Sequence, residues 1–292
     1  MIKEMNLAND GSTSRDVFDW EYILWEVRLK LLAAGFFIYL GMFLLAHWLS
    51  SWISVSYRAL SAEKKSIWSM DIVRGVFGVQ CWIAGFWALH IDPVFQTDKV
   101  YSQQNWSWFH CFIASGHMLF DNVFLLVSII VFGNSDMILF VHHFFASGAL
   151  LGLIINIKSG HYLFLIGLLL EMITPFNCIF TLLSKSGRTN TFFWKVNLWV
   201  HYHVQHCRVV LTYHMWWVCI SNWNNVMENL GLPHFIFFLM GLSTLTFILN
   251  PYWIYTSTPW LFRSFDKNSP NTEPKNGSSG NLNSEMLKKK RK

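Results

Sequence analysis

The chain has 292 residues, of which 53% are hydrophobic and only 13% are charged. Soluble proteins carry about a quarter charged residues, so this chain lacks the polar surface that a soluble enzyme of its length needs. The apolar content also excludes a disordered protein, and five cysteines without a CxxC pair do not fit a small disulfide scaffold. These proportions predict a polytopic membrane protein.

Seven segments are long and apolar enough for membrane helices, which need about 20 residues to cross a bilayer core. In chain order they cover about 29–49, 72–90, 109–131, 137–155, 161–183, 197–220 and 233–255. The first span follows a polar, acid-rich stretch and is too long for a signal peptide, so we expect it to be retained. The sequence therefore predicts an all-α bundle of about seven transmembrane helices.

Lysine and arginine predict the orientation, because cytosolic loops are enriched in these residues. With a lumenal N-terminus, the cytosolic loops hold Arg58, Lys64, Lys65, Lys185, Arg188 and Lys195. The predicted organisation is a polar lumenal tail (1–28), a first span with a cytosolic loop (29–61), a six-span domain (62–262) and a disordered cytosolic tail (263–292). The basic end of that tail indicates a solvated segment rather than a nucleic-acid site.

Two short motifs lie outside the spans. Lys289 and Lys290 occupy the fourth and third positions from the C-terminus, the arrangement of the dilysine signal that returns membrane proteins to the endoplasmic reticulum through vesicle coats. A plain stop-transfer charge cluster is the alternative. Asn105 begins a glycosylation sequon in a predicted lumenal loop, close to the third span. The prediction is an endoplasmic reticulum membrane protein that contacts the COPI and COPII coats.

The spans contain ionisable side chains, which cost at least about 2.5–3.5 kcal/mol at the centre of a membrane helix and are therefore candidate functional residues. His117 and Asp121 in the third span are four residues apart and share a helical face. The fourth span carries the adjacent pair His142 and His143, and the fifth carries Glu171. A carboxylate that orients an imidazole would suit acid–base chemistry.

The sixth span is the most polar, with His201, His203, His206, Arg208 and His214. His203, His206 and His214 lie near one helical stripe, where they would bind substrate or support the fourth-span pair, and Arg208 would bind phosphate or balance the acid. HxxH alone is a weak metal signature, so no metal site is predicted.

Structural alternatives stay open for several of these residues. His117 with Asp121, or Glu171 alone, could serve as interhelical hydrogen-bonding groups, and Arg208 could pair with Glu171 or Asp121. Five further histidines lie at span ends and are interpreted as interfacial: His47, His90, His110, His161 and His234.

Histidine exchanges a proton near neutral pH or carries an acyl group transiently. In the predicted topology His142 and His143 lie in the cytosolic half of their span. A site there would receive acyl-CoA from the cytosol and a lipid from the bilayer, with acyl-CoA as co-substrate and no bound cofactor.

The stretches Val141-His142-His143-Phe144 and Leu170-Glu171-Met172-Ile173-Thr174-Pro175-Phe176 resemble the TLC domain. That family of membrane proteins includes the ceramide synthases, and the resemblance covers about 62–262. It implies a lipid enzyme with His142, His143 and Glu171 as catalytic residues. Ceramide synthases carry a longer motif with a second acid, whereas Glu171 is the only acid in this segment. This departure argues against ceramide synthesis but not against acyl transfer.

Further segments are similar to one member of that family over nearly the whole chain. They are Gly78-Val79-Gln80, Asp92-Pro93-Val94, Gln103-Gln104-Asn105-Trp106, Leu211-Thr212-Tyr213-His214-Met215-Trp216-Trp217, Asn250-Pro251-Tyr252-Trp253 and the lysine-rich end. The similarity implies a protein that cycles between the endoplasmic reticulum and the intermediate compartment and supports lysosomes.

Three functions follow from these observations. The favoured one is an acyl-CoA-dependent acyltransferase acting on a glycerophosphodiester or lysolipid, because a receptor has no need for so many intramembrane ionisable groups. The alternatives are a cargo receptor for newly made lysosomal enzymes and a lipid sensor without turnover. Membrane lipids are partners in all three, and an oligomer is compatible with each.

Overall fold

The structure, a computed structural model, describes residues 21–133, 137–189 and 191–265. Twelve α-helices occupy these ranges: α1 (Trp25–Ile53), α2 (Val55–Arg58), α3 (Ala62–His90), α4 (Pro93–Thr97), α5 (Asn105–Phe132), α6 (Met137–Ile155), α7 (Tyr162–Leu169), α8 (Thr174–Lys185), α9 (Phe192–Ser221), α10 (Trp223–Leu230), α11 (Leu232–Thr244) and α12 (Asn250–Phe265). A 3-10 turn (Leu170–Ile173) joins α7 to α8, and a π-helical turn (Leu245–Leu249) joins α11 to α12. The prediction of an all-α polytopic membrane protein is confirmed.

Six helical segments of the described chain are long and apolar enough to cross a membrane: Trp25–Ile53, Ala62–His90, Asn105–Phe132, Met137–Ile155, Tyr162–Lys185 and Leu232–Phe262. The remaining predicted span is α9, which has 30 residues. That length corresponds to about 45 Å, sufficient to cross a bilayer. The polar side chains of α9 lower its hydropathy, and the helix packs against α8 and α12 within the bundle.

Hydrogen bonds define two opposite ends of the bundle. At the end that carries α4, Arg28 donates to the carbonyl of Ile154, and Asn229 donates to the carbonyl of Val100. At the end that carries α2, Trp68 donates to Ser50, and the ammonium of Lys185 lies 3.2 Å from the carboxylate of Asp71. In the predicted orientation, the α4 end is lumenal and the α2 end is cytosolic.

Two predicted boundaries differ from the structure. Helix α1 begins at Trp25, so residues 25–28 of the predicted tail are helical, and Arg28 is buried there. The Arg28 guanidinium donates to three backbone carbonyls, which stabilises a charge that composition alone placed in the tail. Helix α12 continues to Phe265, beyond the predicted limit at 262. Lys289 and Lys290 lie outside the described residues.

Glycines allow close helix packing in the bundle. Helix α1 packs against α5 where Gly35 faces Gly116. A Cβ atom at Gly116 would lie 2.5 Å from the carbonyl oxygen of Leu32 and 2.6 Å from the amide nitrogen of Phe36. Both atoms belong to the backbone of α1, so any larger residue would push the helices apart. This contact holds α5, which carries part of the site, against α1.

Candidate functional site

A polar cavity of about 440 Å³ lies between α3, α5, α6, α8, α9 and α12, in the half of the bundle nearer the α2 end. Its hydrogen-bonding lining includes Asp71, Arg74, His117, Asp121, His142, His143, Glu171, Thr174, Asn177, His201, Gln205, Arg208 and Trp253. The structure thus brings the predicted catalytic residues His142, His143 and Glu171 together in one cavity.

The 3-10 turn positions the carboxylate of Glu171. Glu171 Oε1 lies 3.3 Å from Nε2 of His142, and Oε2 accepts a hydrogen bond of 2.7 Å from the Thr174 hydroxyl. A carboxylate only accepts, so Nε2 carries the proton and Nδ1 of His142 is the basic nitrogen. This is the arrangement in which an acid orients a general base.

Local sequence explains why the chain turns at Glu171. Pro175 is the second residue of α8, where its missing N–H is tolerated, and the 3-10 turn precedes it. Gly78 on α3 faces the same turn, and a Cβ there would lie 2.8 Å from the Glu171 carbonyl oxygen and 2.6 Å from Cδ of Pro175. The glycine therefore lets α3 pack directly against the acid.

The second histidine faces a different acid. Asp121 on α5 accepts two hydrogen bonds from Arg74 on α3, at 2.9 and 2.6 Å. His143 Nε2 lies 3.7 Å from Asp121 Oδ2, within ion-pair range but too far for a hydrogen bond. Adjacent helical residues point about 100° apart, and this divergence aims His142 at Glu171 and His143 at Asp121.

His117 does not bond to Asp121 as its spacing predicted. Its ring stacks on Phe77 with centroids 3.7 Å apart and meets Tyr39 edge-on at 4.6 Å. Neither ring nitrogen has a hydrogen-bond partner among the described residues. Arg74 occupies both oxygens of Asp121, and aromatic packing holds His117 in the cavity wall instead.

The three histidines of the predicted stripe on α9 do not line the polar cavity. His203 and His206 are exposed, and each Nδ1 donates to the backbone carbonyl four residues earlier, at 2.8 Å. His214 bonds to the hydroxyl of Tyr162 at 2.8 Å, away from the cavity. Because α9 turns another face inward, these three histidines do not belong to the site.

The inward face of α9 carries His201, Gln205 and Arg208. The Arg208 guanidinium carbon lies 4.5 Å from the ring centroid of Trp253 on α12, a cation–π contact. Its charge also acts attractively on the Glu171 carboxylate. The alternative pairing of Arg208 with Asp121 is wrong, because Arg74 occupies that acid.

An apolar chamber of about 130 Å³ adjoins the polar cavity on the side of the α4 end. Its walls are mostly aliphatic and aromatic: Met118, Phe145, Ala146, Ala149, Leu150, Leu163, Phe164, Leu168, Leu170, Met215, Phe238, Leu242, Leu245 and Leu249. His142 and Glu171 line both compartments. The pair therefore stands at the junction between a polar and an apolar space.

Sequence reasoning missed Arg74, Trp253 and the ion pair between Asp71 and Lys185. Arg74 lies inside the predicted second span, where a charged side chain is costly, and this cost would have identified Arg74 as a candidate functional residue. Trp253 carries no such signal, since tryptophan is common in membrane helices. Within the described ranges, no three His, Cys, Asp or Glu side chains converge as a metal site.

The sequon residue Asn105 is the first residue of α5 and its side chain is exposed. Its backbone carbonyl accepts a hydrogen bond of 3.0 Å from the hydroxyl of Tyr22. The sequon therefore lies at the start of the helix, at the α4 end.

The fold and the site together define a polytopic helical membrane protein. Its helix bundle encloses ionisable groups in a polar cavity next to an apolar chamber. The chain is 46% identical to human Protein CLN8 over 98% of this chain and 100% of that protein. It is 44% identical to the dog protein of that name (98% and 99% covered) and 45% identical to the mouse protein (98% and 100%). The chain belongs to the CLN8 family, that of the neuronal ceroid lipofuscinosis type eight protein. No family profile and no solved structure matches it.

Proposed function

We propose that this protein is a TLC-type lipid acyltransferase of the endoplasmic reticulum membrane that uses acyl-CoA as donor and a lysolipid or glycerophosphodiester as acceptor. One observation carries the proposal: His142 and Glu171 lie where the polar cavity meets the apolar chamber. An amphiphile placed across that junction has its acyl chain among apolar side chains and its reactive carbonyl beside an imidazole.

The two compartments match the two parts of an acyl thioester. The apolar chamber would hold the part of the acyl chain next to the thioester, because burying hydrocarbon against Ala146, Leu150 and Phe238 is favourable. The polar cavity extends towards the α2 end, which the positive-inside rule makes cytosolic. Acyl-CoA is available from that side.

In the proposed reaction Nδ1 of His142 takes the proton from the acceptor hydroxyl while its oxygen attacks the thioester carbonyl carbon. The carbon–sulfur bond then breaks, and the imidazolium returns the proton to the leaving thiolate. Glu171 stabilises the imidazolium and fixes the ring through Nε2, at 3.3 Å. Transient acylation of the imidazole is the alternative course at the same residue.

The test is acyl transfer by purified protein in nanodiscs. Radiolabelled acyl-CoA would be supplied with lysophospholipid, glycerophosphodiester and sphingoid acceptors, using wild type, His142→Ala, His143→Ala and the exposed-histidine control His203→Ala. We expect product from wild type and from His203→Ala, and at least a hundred-fold less from His142→Ala. Normal activity of His142→Ala would refute the assignment of His142 as the base, and normal activity of His143→Ala as well would remove the fourth-span pair from catalysis. A bound lipid without product would favour the sensor.

The dilysine pair supports a second candidate, a receptor that carries lysosomal enzymes out of the endoplasmic reticulum. Lys289 and Lys290 would engage the COPI coat from the cytosolic tail. Replacing both with serine should move the protein forward to the Golgi, measured by organelle imaging and glycan processing of a tagged protein. Unchanged residence, or forward movement without altered secretion of lysosomal enzymes, would count against the receptor.

A further inference from the structure

Three polar side chains of α9 form one line along the cavity wall. His201, Gln205 and Arg208 are spaced by four and three residues, so they share a helical face, and all three line the polar cavity. Gln205 is 2% exposed and Arg208 is 4% exposed. Groups this deeply buried normally have hydrogen-bond partners.

Side-chain donors of Gln205 and Arg208 lack hydrogen-bond partners within the described part of the chain. Among the described residues, Nε2 of Gln205 and both Nε and Nη2 of Arg208 have no hydrogen-bond acceptor. His201 differs, because it bonds to Asn177 Oδ1 at 2.6 Å. The structure thus leaves buried donors on two successive turns of α9 facing one cavity.

The acidic groups of the cavity are already engaged. Arg74 occupies both oxygens of Asp121. His142 and Thr174 occupy the two oxygens of Glu171, and Lys185 pairs with Asp71. None of these described acids accepts a hydrogen bond from the α9 donors, so a ligand with acceptor oxygens would complete them, and a guanidinium favours a phosphate or carboxylate.

We infer that Gln205 and Arg208 form a binding site for the phosphate group of the acceptor lipid, an inference that rests on the proposed function. The substrate class is a glycerol-based phosphate ester with a free hydroxyl a few bonds from phosphorus. Arg208 would contact the phosphate through Nε and Nη2, and Gln205 would donate from the preceding turn.

The contacts of Trp253 indicate that the phosphate bound by Arg208 is that of the acceptor and not one of the phosphates of CoA. Its ring lies 5.6 Å from the His142 ring and 4.5 Å from the Arg208 guanidinium carbon, measured to ring centroids. The His142 imidazole and the Arg208 guanidinium therefore both contact the same indole ring and lie close to each other. In acyl-CoA the long pantetheine arm separates the thioester from every phosphate, whereas in a glycerophosphate the hydroxyl and phosphorus lie close together.

The test measures binding separately from turnover. Purified protein in neutral-lipid nanodiscs would be titrated with glycerophosphodiester, with uncharged monoacylglycerol and with CoA. The variants are Arg208→Gln, the milder Gln205→Leu and the control Arg188→Gln, whose arginine is exposed in the α8–α9 loop. We expect glycerophosphodiester binding to weaken at least ten-fold in Arg208→Gln and Gln205→Leu, to be unchanged in Arg188→Gln, and CoA binding to be unchanged in all three.

Wild-type affinity for glycerophosphodiester in folded Gln205→Leu and Arg208→Gln would overturn the inference. Loss of CoA binding alone would also overturn it, because the phosphate bound would then be that of the donor. Failure of the phosphate site can be distinguished from failure of the proposed acyltransferase function. Histidine-dependent acyl transfer with unaltered acceptor affinity in the α9 variants would refute only the phosphate site. Phosphate-dependent binding without any acyl transfer would refute only the enzyme.

Discussion

The Asp121–Arg74 pair gives the sharpest prediction about stability. Asp121 is 1% exposed and accepts two hydrogen bonds from Arg74, whose side chain is 18% exposed. Removing one member of such a pair leaves a buried charge without compensation, which costs about 3–5 kcal/mol. We therefore expect Asp121→Asn, which preserves shape, to lower the free energy of unfolding by that amount, and Arg74→Gln to do the same.

A double-mutant cycle tests the coupling. The combined Asp121→Asn/Arg74→Gln variant removes both charges, so it should cost clearly less than the sum of the two single changes. The assay is reversible unfolding by denaturing detergent, with Lys30→Gln as control because its ion pair with Glu26 is exposed. Single losses below about 1 kcal/mol, or additive losses in the double variant, would refute the reasoning.

Three further predictions follow from individual contacts. Glu171→Gln keeps the size of the side chain but loses the charge that stabilises protonated His142, so acyl transfer should fall at least ten-fold in kcat with little change in KM; an unchanged kcat would contradict this. Gly116→Ala would place its Cβ 2.5 Å from a backbone oxygen of α1 and should lower the unfolding temperature, whereas Gly41→Ala, with nothing within 4 Å, should not; equal effects on thermal unfolding would refute the packing argument. Burial lowers the pKa of His161, in the α6–α7 loop, from 6.5 to about 3, so the unfolded chain binds the proton more readily. The contribution of His161 to the free energy of unfolding should be constant above about pH 6.5. Below that pH the free energy of unfolding should fall, by about 2 kcal/mol at pH 5. The slope should flatten in His161→Gln, and a slope unchanged by that substitution would exclude His161 as its origin.

The spans and the main site residues were predictable because each depends on local chemistry. Apolar runs of about 20 residues define membrane helices, and the cost of an intramembrane charge singles out Asp121, His142, His143 and Glu171. Those four side chains line one cavity, as their polarity suggested.

Partner choice and helix phase were not predictable. The order of residues along α9 does not say which face turns inward, and its polar side chains lie on more than one face, so His203 and His206 were placed on the wrong side. His161 was expected at an interface but is fully buried, with Nδ1 2.7 Å from the hydroxyl of Ser107. Both outcomes depend on which distant helix packs alongside, which a single sequence does not encode locally.

We propose that acyl transfer takes place at His142 with the near end of the acyl chain in the apolar chamber. The most direct test of this proposal is the acyl-CoA chain-length profile of the purified protein and of Ala146→Leu, which adds three carbon atoms to the chamber wall. The matched control is Ala34→Leu, at an exposed position on α1. We expect Ala146→Leu to shift the optimum to shorter acyl chains and Ala34→Leu to leave the optimum in place. Activity with an identical profile in all three proteins would contradict the proposal.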